Sequence, residues 1–225
     1  MKVLLVNGSP REKGCTYTAL SQIASTLEEE QIQTEIYHIG KKAISGCISC
    51  MKCSETGTCV INDQVNEMRK KTKEADGFIF GSPVYFGSAN SSLISFMTRL
   101  FFPELTSGGN TFTLKPAACV TSARRAGTSA AFDVLNKFFT VSQMPVISSQ
   151  YWNMVHGNTP DEVLQDAEGM QTMRILARNM AWFLKCKEAG QRANVPMPVK
   201  EEHLMTNFIN GAPLMTSKDM IDISI

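Results

Sequence analysis

Short apolar runs alternating with helix-patterned stretches constrain this chain more than any other feature. Lys2–Asn7 carries Val3-Leu4-Leu5-Val6, a run of strand length that Asn7-Gly8 ends. Thr16–Glu30 then places Leu20, Ile23, Ala24 and Leu27 at helical spacing. The exchange recurs: Thr34–Ile39 reads as a second strand, and Asp63 as the N-cap of a helix through Lys73. Gly77–Gly81 holds Phe78-Ile79-Phe80, a buried third strand, and Ser91–Phe102 is helical with Leu93, Phe96, Met97 and Leu100 on one face. Ala117–Thr121 is the fourth strand, Thr128–Phe139 the next helix, and Pro145–Ile147 a short fifth strand. Pro160 suits the first turn of a long helix from Asp161 to about Lys187. Five strands alternating with helices imply an α/β fold, a doubly wound five-stranded parallel sheet.

Two stretches stand outside that rhythm. Residues 41–62 form a cysteine-rich insert between the second strand and the following helix. Residues 188–225 form a C-terminal extension with Pro196, Pro198 and Pro213 and little periodicity, the composition of a segment that covers another surface. Residues 1–187 then make one α/β domain, a size that buries a sizeable core. A net charge of +1 gives no electrostatic case for nucleic acid or a membrane surface. No apolar run approaches the roughly 20 residues of a membrane helix, and the short run after Lys2 is no signal peptide. The expected location is cytoplasmic. In a reducing compartment, clustered cysteines more often bind metal or catalyse than form structural disulfides.

In an open parallel sheet, ligands bind beyond the carboxyl ends of the strands, where three segments of this chain should meet. The first, after strand one, contains Ser9, Arg11, Gly14, Cys15 and Thr16. Its backbone amides, the hydroxyls of Ser9 and Thr16, and the charge of Arg11 suit a phosphate, with Cys15 filling space beside it. Neither a P-loop Gly-Lys-Ser/Thr nor a Gly-x-Gly-x-x-Gly fingerprint is present, which argues against an ATPase and a dinucleotide fold. The second segment is Ser82-Pro83-Val84-Tyr85-Phe86-Gly87, with backbone groups and an aromatic wall for a flat heterocycle. The third, after strand four, contains Ser122, Arg124 and Gly127. No side chain is spaced as a catalytic acid, base or nucleophile; Trp152 reads either as core or as a neighbour of the ring.

Four of the seven cysteines, Cys47, Cys50, Cys53 and Cys59, fall in the pattern C-x2-C-x2-C-x5-C. Two-residue gaps let thiolates turn toward one centre, and Gly57 in the longer gap lets the last one close it. Three readings stay open: a [4Fe–4S] cluster, a zinc site, or thiols that cycle to disulfides without metal.

Taken together, Gly8-Ser9-Pro10-Arg11 with Gly14 and Thr16, the cysteine insert, Ala75-Asp76-Gly77, Ser82–Gly87 with Leu93, Phe96 and Arg99, and Tyr151-Trp152-Asn153 resemble a known family. These residues are similar to the flavodoxin-like NAD(P)H-dependent FMN reductases, in their iron–sulfur flavoprotein branch. The resemblance covers about residues 1–187 and touches the tail at Thr206-Asn207-Phe208-Ile209; the chain departs from the pattern at Ile94, Thr98 and Ala126. It implies FMN, with its phosphate at the first loop and its ring at the second and third, and NAD(P)H as electron donor. It also implies a [4Fe–4S] cluster on the four cysteines. The expected activity is electron transfer to a small acceptor, such as a quinone, nitro or azo compound. The alternative is an electron carrier docking to ferredoxin. The resemblance implies a homodimer or homotetramer.

Overall fold

In the computed structural model, which describes residues 1–199 and 201, strands and helices alternate as the apolar pattern requires. The chain runs β1 (Lys2–Asn7), α1 (Cys15–Glu29), β2 (Gln33–His38), α2 (Cys53–Thr56), α3 (Gln64–Glu74), β3 (Gly77–Tyr85), β4 (Ser88–Ala89), α4 (Ser91–Thr106), β5 (Ala117–Ala123), α5 (Thr128–Val141), β6 (Met154–His156), α6 (Pro160–Gln165) and α7 (Ala167–Arg192). Five strands are parallel in the order β2-β1-β3-β5-β6, and β4 folds back antiparallel on β3.

Because side chains alternate along a strand, one apolar run feeds two core layers. Leu4 and Val6 join Phe78 and Phe80 with Met68, Phe96 and Phe101, the layer under α3, α4 and α5. Val3 and Leu5 join Ile79 and Val120 with Leu20, Ile23, Leu176 and Met180, the layer under α1 and α7. Phe101 and Phe112 stack at 4.4 Å within the first layer. Burying one such ring stabilises the fold by roughly 2–3 kcal/mol.

Three expectations need correction. Pro145–Ile147 is not the fifth strand; Val146 makes only an isolated bridge to Ala117. The chain then leaves the sheet, where Ser149 Oγ donates to Thr172 O at 2.7 Å and Asn179 Nδ2 donates to Ser148 O at 2.8 Å. It re-enters at Met154, opposite Thr121. The bow leaves Tyr151 and Trp152 exposed at the sheet edge. The long helix is also two helices. Asp166 breaks it with φ −73 and ψ 81, and its carboxylate caps α7 by accepting from Gly169 N at 2.9 Å. Finally, β3 and β5 run past the ends expected of them, to Tyr85 and Ala123, so Ser82–Tyr85 and Ser122 are strand rather than loop. Most of the 188–225 extension, including Thr206–Ile209, lies outside the described residues. Among the described residues no helix is long and apolar enough to cross a membrane.

Candidate functional site

β1, β3 and β5 are neighbours, so the turns at their carboxyl ends converge. The first turn is held from several sides. Asn7 is fully buried; its Oδ1 accepts from Ser9 N at 3.1 Å and its Nδ2 donates to Glu12 O at 2.9 Å. Ser9 Oγ accepts from Arg11 N at 3.1 Å, and the His38 ring, at the end of β2, donates Nε2–H to Ser9 O at 2.8 Å. Gly14 closes the turn, where a Cβ would sit 3.1 Å from that of Arg11. α1 starts at Cys15 with no side-chain cap, and Thr18 N makes the bond back to Gly14 O at 3.0 Å. The amides of Cys15, Thr16 and Tyr17 precede that bond and point out of the helix start with its partial positive charge. An uncapped start behind a rigid turn fits a phosphate.

The other two segments are tied to the first. Asn90, also buried, donates Nδ2–H to Gly8 O at 2.6 Å, while its own N–H donates to Ser82 Oγ at 2.9 Å. Buried Thr16 and Ser122 share a hydroxyl bond of 2.8 Å, joining the first segment to the third. Phe86 and Gly87 make the two-residue turn between β3 and β4, both left-handed at φ 50 and φ 73. Two positive φ values match the twist of a tight hairpin. A phenylalanine there is strained, and Phe86 is nonetheless fully exposed, beside half-exposed Tyr85. Gly127 also has positive φ, and a Cβ on it would meet Gly87 Cα at 2.8 Å. The two glycines therefore pack closely, with the Val84 side chain beside them, where Cγ1 would lie 2.9 Å from the same Cβ.

Ser9, Arg11, Gly14, Cys15 and Thr16 thus meet Ser82, Pro83, Val84, Gly87, Ser122 and Gly127 at one end of the sheet. Pro83 pairs with Ser122 in the β3–β5 ladder. Arg11 and Arg124 are exposed. The Cys15 thiol turns away toward Gly157 O at 3.6 Å, and burial pushes it above the ordinary thiol range. Sequence reasoning missed Asn7 and Asn90 and left His38 as structural. Asn90 reaches Gly8, 82 positions away, and His38 reaches Ser9, 29 away, beyond any local pattern, whereas Asn7 bonds within its own turn to Ser9 and Glu12.

The insert lies along one stripe of α4. A Cβ on Gly46 would approach Ser95 Oγ at 3.9 Å, and Cys53 Sγ lies 3.6 Å from Thr106 Oγ1. Between them, Arg99 is buried under the insert. It donates to both Asp63 carboxylate oxygens at 2.8 Å, to Ser45 O at 3.2 Å, to Ile61 O at 2.8 Å and, through Nε, to Cys59 Sγ at 3.2 Å. Burial disfavours the Arg99 charge, but the Asp63 and Cys59 bonds outweigh it and hold the guanidinium above its ordinary value. Desolvation likewise pushes the Asp63 carboxyl up. Arg99 and the Val65 amide overcome this and hold it below the usual carboxylate range. Cys47 and Cys50 are exposed, Cys53 is buried and Cys59 is half-buried, all as free thiols. Four thiols are the right donor type for an iron–sulfur centre, but as placed they do not form one. Among the described residues no group of three or more His, Cys, Asp or Glu is arranged to hold a metal ion.

Comparison with known proteins places the chain in a family. The family model described as NADPH-dependent FMN reductase matches residues 1–159. An iron–sulfur flavoprotein of Methanocaldococcus jannaschii is 33% identical over 195 residues, 82% of this chain and 98% of its own. The structure of RosB with bound 8-demethyl-8-formylriboflavin-5'-phosphate has TM-score 0.66 at 14% identity, covering 94% of this chain and 93% of that one. A flavodoxin from the domain Archaea has TM-score 0.54 at 15% identity, covering 82% and 99%. At these identities the two solved structures speak for the fold alone.

Proposed function

The chain belongs to the NADPH-dependent FMN reductase family, in its iron–sulfur flavoprotein branch, and on that premise we propose that it binds FMN across the three joined segments and passes electrons from NAD(P)H to a small acceptor, a quinone, nitro or azo compound. FMN, when bound, supplies the chemistry by taking hydride from the nicotinamide and releasing electrons onward. The protein's part is binding and orientation. The free amides at the start of α1 and the hydroxyl of Ser9 hold the phosphate. Ser9 Oγ already accepts from Arg11 N, so its proton is available to donate. Gly87, where an added Cβ would meet nothing within 4 Å, leaves room for a flat ring edge, and Tyr85 and Phe86 wall it from water. No side-chain acid or base is assigned. One observation carries this reading: an uncapped helix start faces a turn fixed by Asn7, His38 and Asn90. Anaerobic addition of NADPH alone should bleach the flavin absorbance promptly. Colour that persists until a reduced protein donor is added would overturn it.

That second outcome belongs to a carrier that docks to ferredoxin. One observation favours it: Arg11, Lys41, Lys42, Arg124 and Arg125, all exposed, follow the ends of β1, β2 and β5, a basic rim for an acidic partner. For the insert, we propose that Cys47, Cys50, Cys53 and Cys59 are one ligand set for a [4Fe–4S] cluster. Their soft-donor chemistry and the iron–sulfur relatives support it.

A further inference from the structure

We propose that the outer face of α7 is a docking seam for this chain's own C-terminal extension, with residues 203–217 laid along it as a strap over Trp182. α7 carries two apolar seams where a surface helix needs one. The inner seam, Met173, Leu176, Met180 and Leu184, is buried in the core layer shared with α1. The outer seam repeats every seven residues at Ile175, Trp182 and Ala189, with Cys186 between the last two. That is the spacing of a helix that packs on a second partner. Among the described residues nothing covers its centre: Trp182 is 69% exposed, and Cys186 and Ala189 are exposed. A large ring left in water is a cost that a covering segment removes. The seam also has a basic flank. Arg174 and Arg178 form no salt bridge among the described residues; Arg178 only senses Glu30, which Lys185 already holds at 2.7 Å.

The end of α7 turns the chain back toward this face. Asn194 is left-handed at φ 56; its N–H donates to Gln191 O at 3.0 Å, and Val195 N donates to Gly190 O at 2.9 Å. This pair of bonds closes a helix end and reverses the chain. Val195, Met197 and Val199 follow, all exposed, with Pro196 and Pro198 between them to keep the backbone extended. Residues 203–217 then contain no Asp, Glu, Lys or Arg and carry Leu204, Met205, Phe208, Ile209, Leu214 and Met215. Acidic residues flank that run on both sides, Glu201 and Glu202 before it, Asp219 and Asp222 after it, the charge that Arg174 and Arg178 lack. The length suffices. The 26 residues of α7 rise about 39 Å, which about 12 extended residues span. A second copy of the chain on the same seam would leave the apolar run of the extension in water.

The test follows Cys186, which the strap covers, by its rate of alkylation with iodoacetamide, read by peptide mass mapping. Three proteins are compared as purified: the full chain, a chain ended at Glu201, and the full chain with Phe208→Ser and Ile209→Ser. Cys186 should react about tenfold more slowly in the full chain than in the shortened one, and the double variant should react as the shortened chain does. Trp182 gives an independent reading. The chain has two tryptophans, so in a Trp152→Phe background the emission is that of Trp182, and it should move to longer wavelength when the chain is shortened. Equal alkylation rates in all three proteins would overturn the proposal: uniformly fast means that nothing covers the seam, uniformly slow that a second copy does. Mixing separates a strap on its own helix from one on a partner. Protection of the shortened chain's Cys186 by added full chain would place the strap on a second copy and overturn the assignment. If the shortened chain fails to fold, the double variant decides.

Discussion

Asn90 joins three pieces of backbone. Its Nδ2 donates to Gly8 O at 2.6 Å, its Oδ1 accepts from Ser92 N at 3.2 Å as the cap of α4, and its own amide reaches Ser82. Asn90→Ala removes both side-chain bonds in a buried place and should lower stability by about 1–3 kcal/mol. FMN affinity should fall with it, because Gly8 leads into the phosphate turn; thermal melts and flavin titration measure the two. A charge placed in the turn acts more directly. Ser9→Asp with Thr16→Asp should repel the phosphate, and full flavin content in that double variant would place the site elsewhere. Asp63 provides a pH test. Its carboxyl is lowered in the folded state by Arg99 and the Val65 amide, against desolvation. Its stabilisation is therefore complete above the ordinary carboxylate value of about 3.9 and is lost as pH falls through the lowered one. Wild type should lose thermal stability on acidification below about pH 4. Asp63→Asn should melt lower at pH 7 and lose less below that point.

At the scale of elements, the β3–β4 turn separates stability from turnover. Phe86 sits at φ 50 with its ring in water, so folding gains little from it. Phe86→Gly should raise stability by roughly 0.5–1 kcal/mol by relieving the left-handed strain, while changing acceptor turnover more than FMN affinity. Steady-state kinetics that stay unchanged across several acceptors would remove Phe86 from the site. The long elements were legible because their signals are local: β1 is an unbroken apolar run, and Asp63 caps α3 within two residues. Pro145–Ile147 misled because an apolar triplet looks like a strand whether one residue pairs or all do. The true edge strand, Met154–His156, is three residues long and held by its register to Thr121–Ala123. The break at Asp166 was hidden because residues on both sides keep helical spacing; Val163 and Met170 both enter the same core layer. For the site, residue types in the three segments marked a phosphate and a ring. Of the ties that make them rigid, His38, Asn90 and the Thr16–Ser122 pair depend on tertiary neighbours, whereas Asn7 bonds within its own turn.

The whole molecule presents a flavin domain with exposed Tyr85, Phe86, Tyr151 and Trp152. Large aromatics in water are a cost that a second copy of the chain would remove. Light scattering at micromolar concentration should report a dimer or tetramer, and a monomer would contradict that assembly. Whether the joined turns of β1, β3 and β5 hold FMN is decided by the visible spectrum of anaerobically purified protein, followed by identification of the released chromophore. Flavin absorbance and about one FMN per chain are expected, lost in the Ser9→Asp, Thr16→Asp double variant. A colourless protein that takes up no FMN when it is supplied, or one whose flavin is untouched by the double substitution, would contradict it.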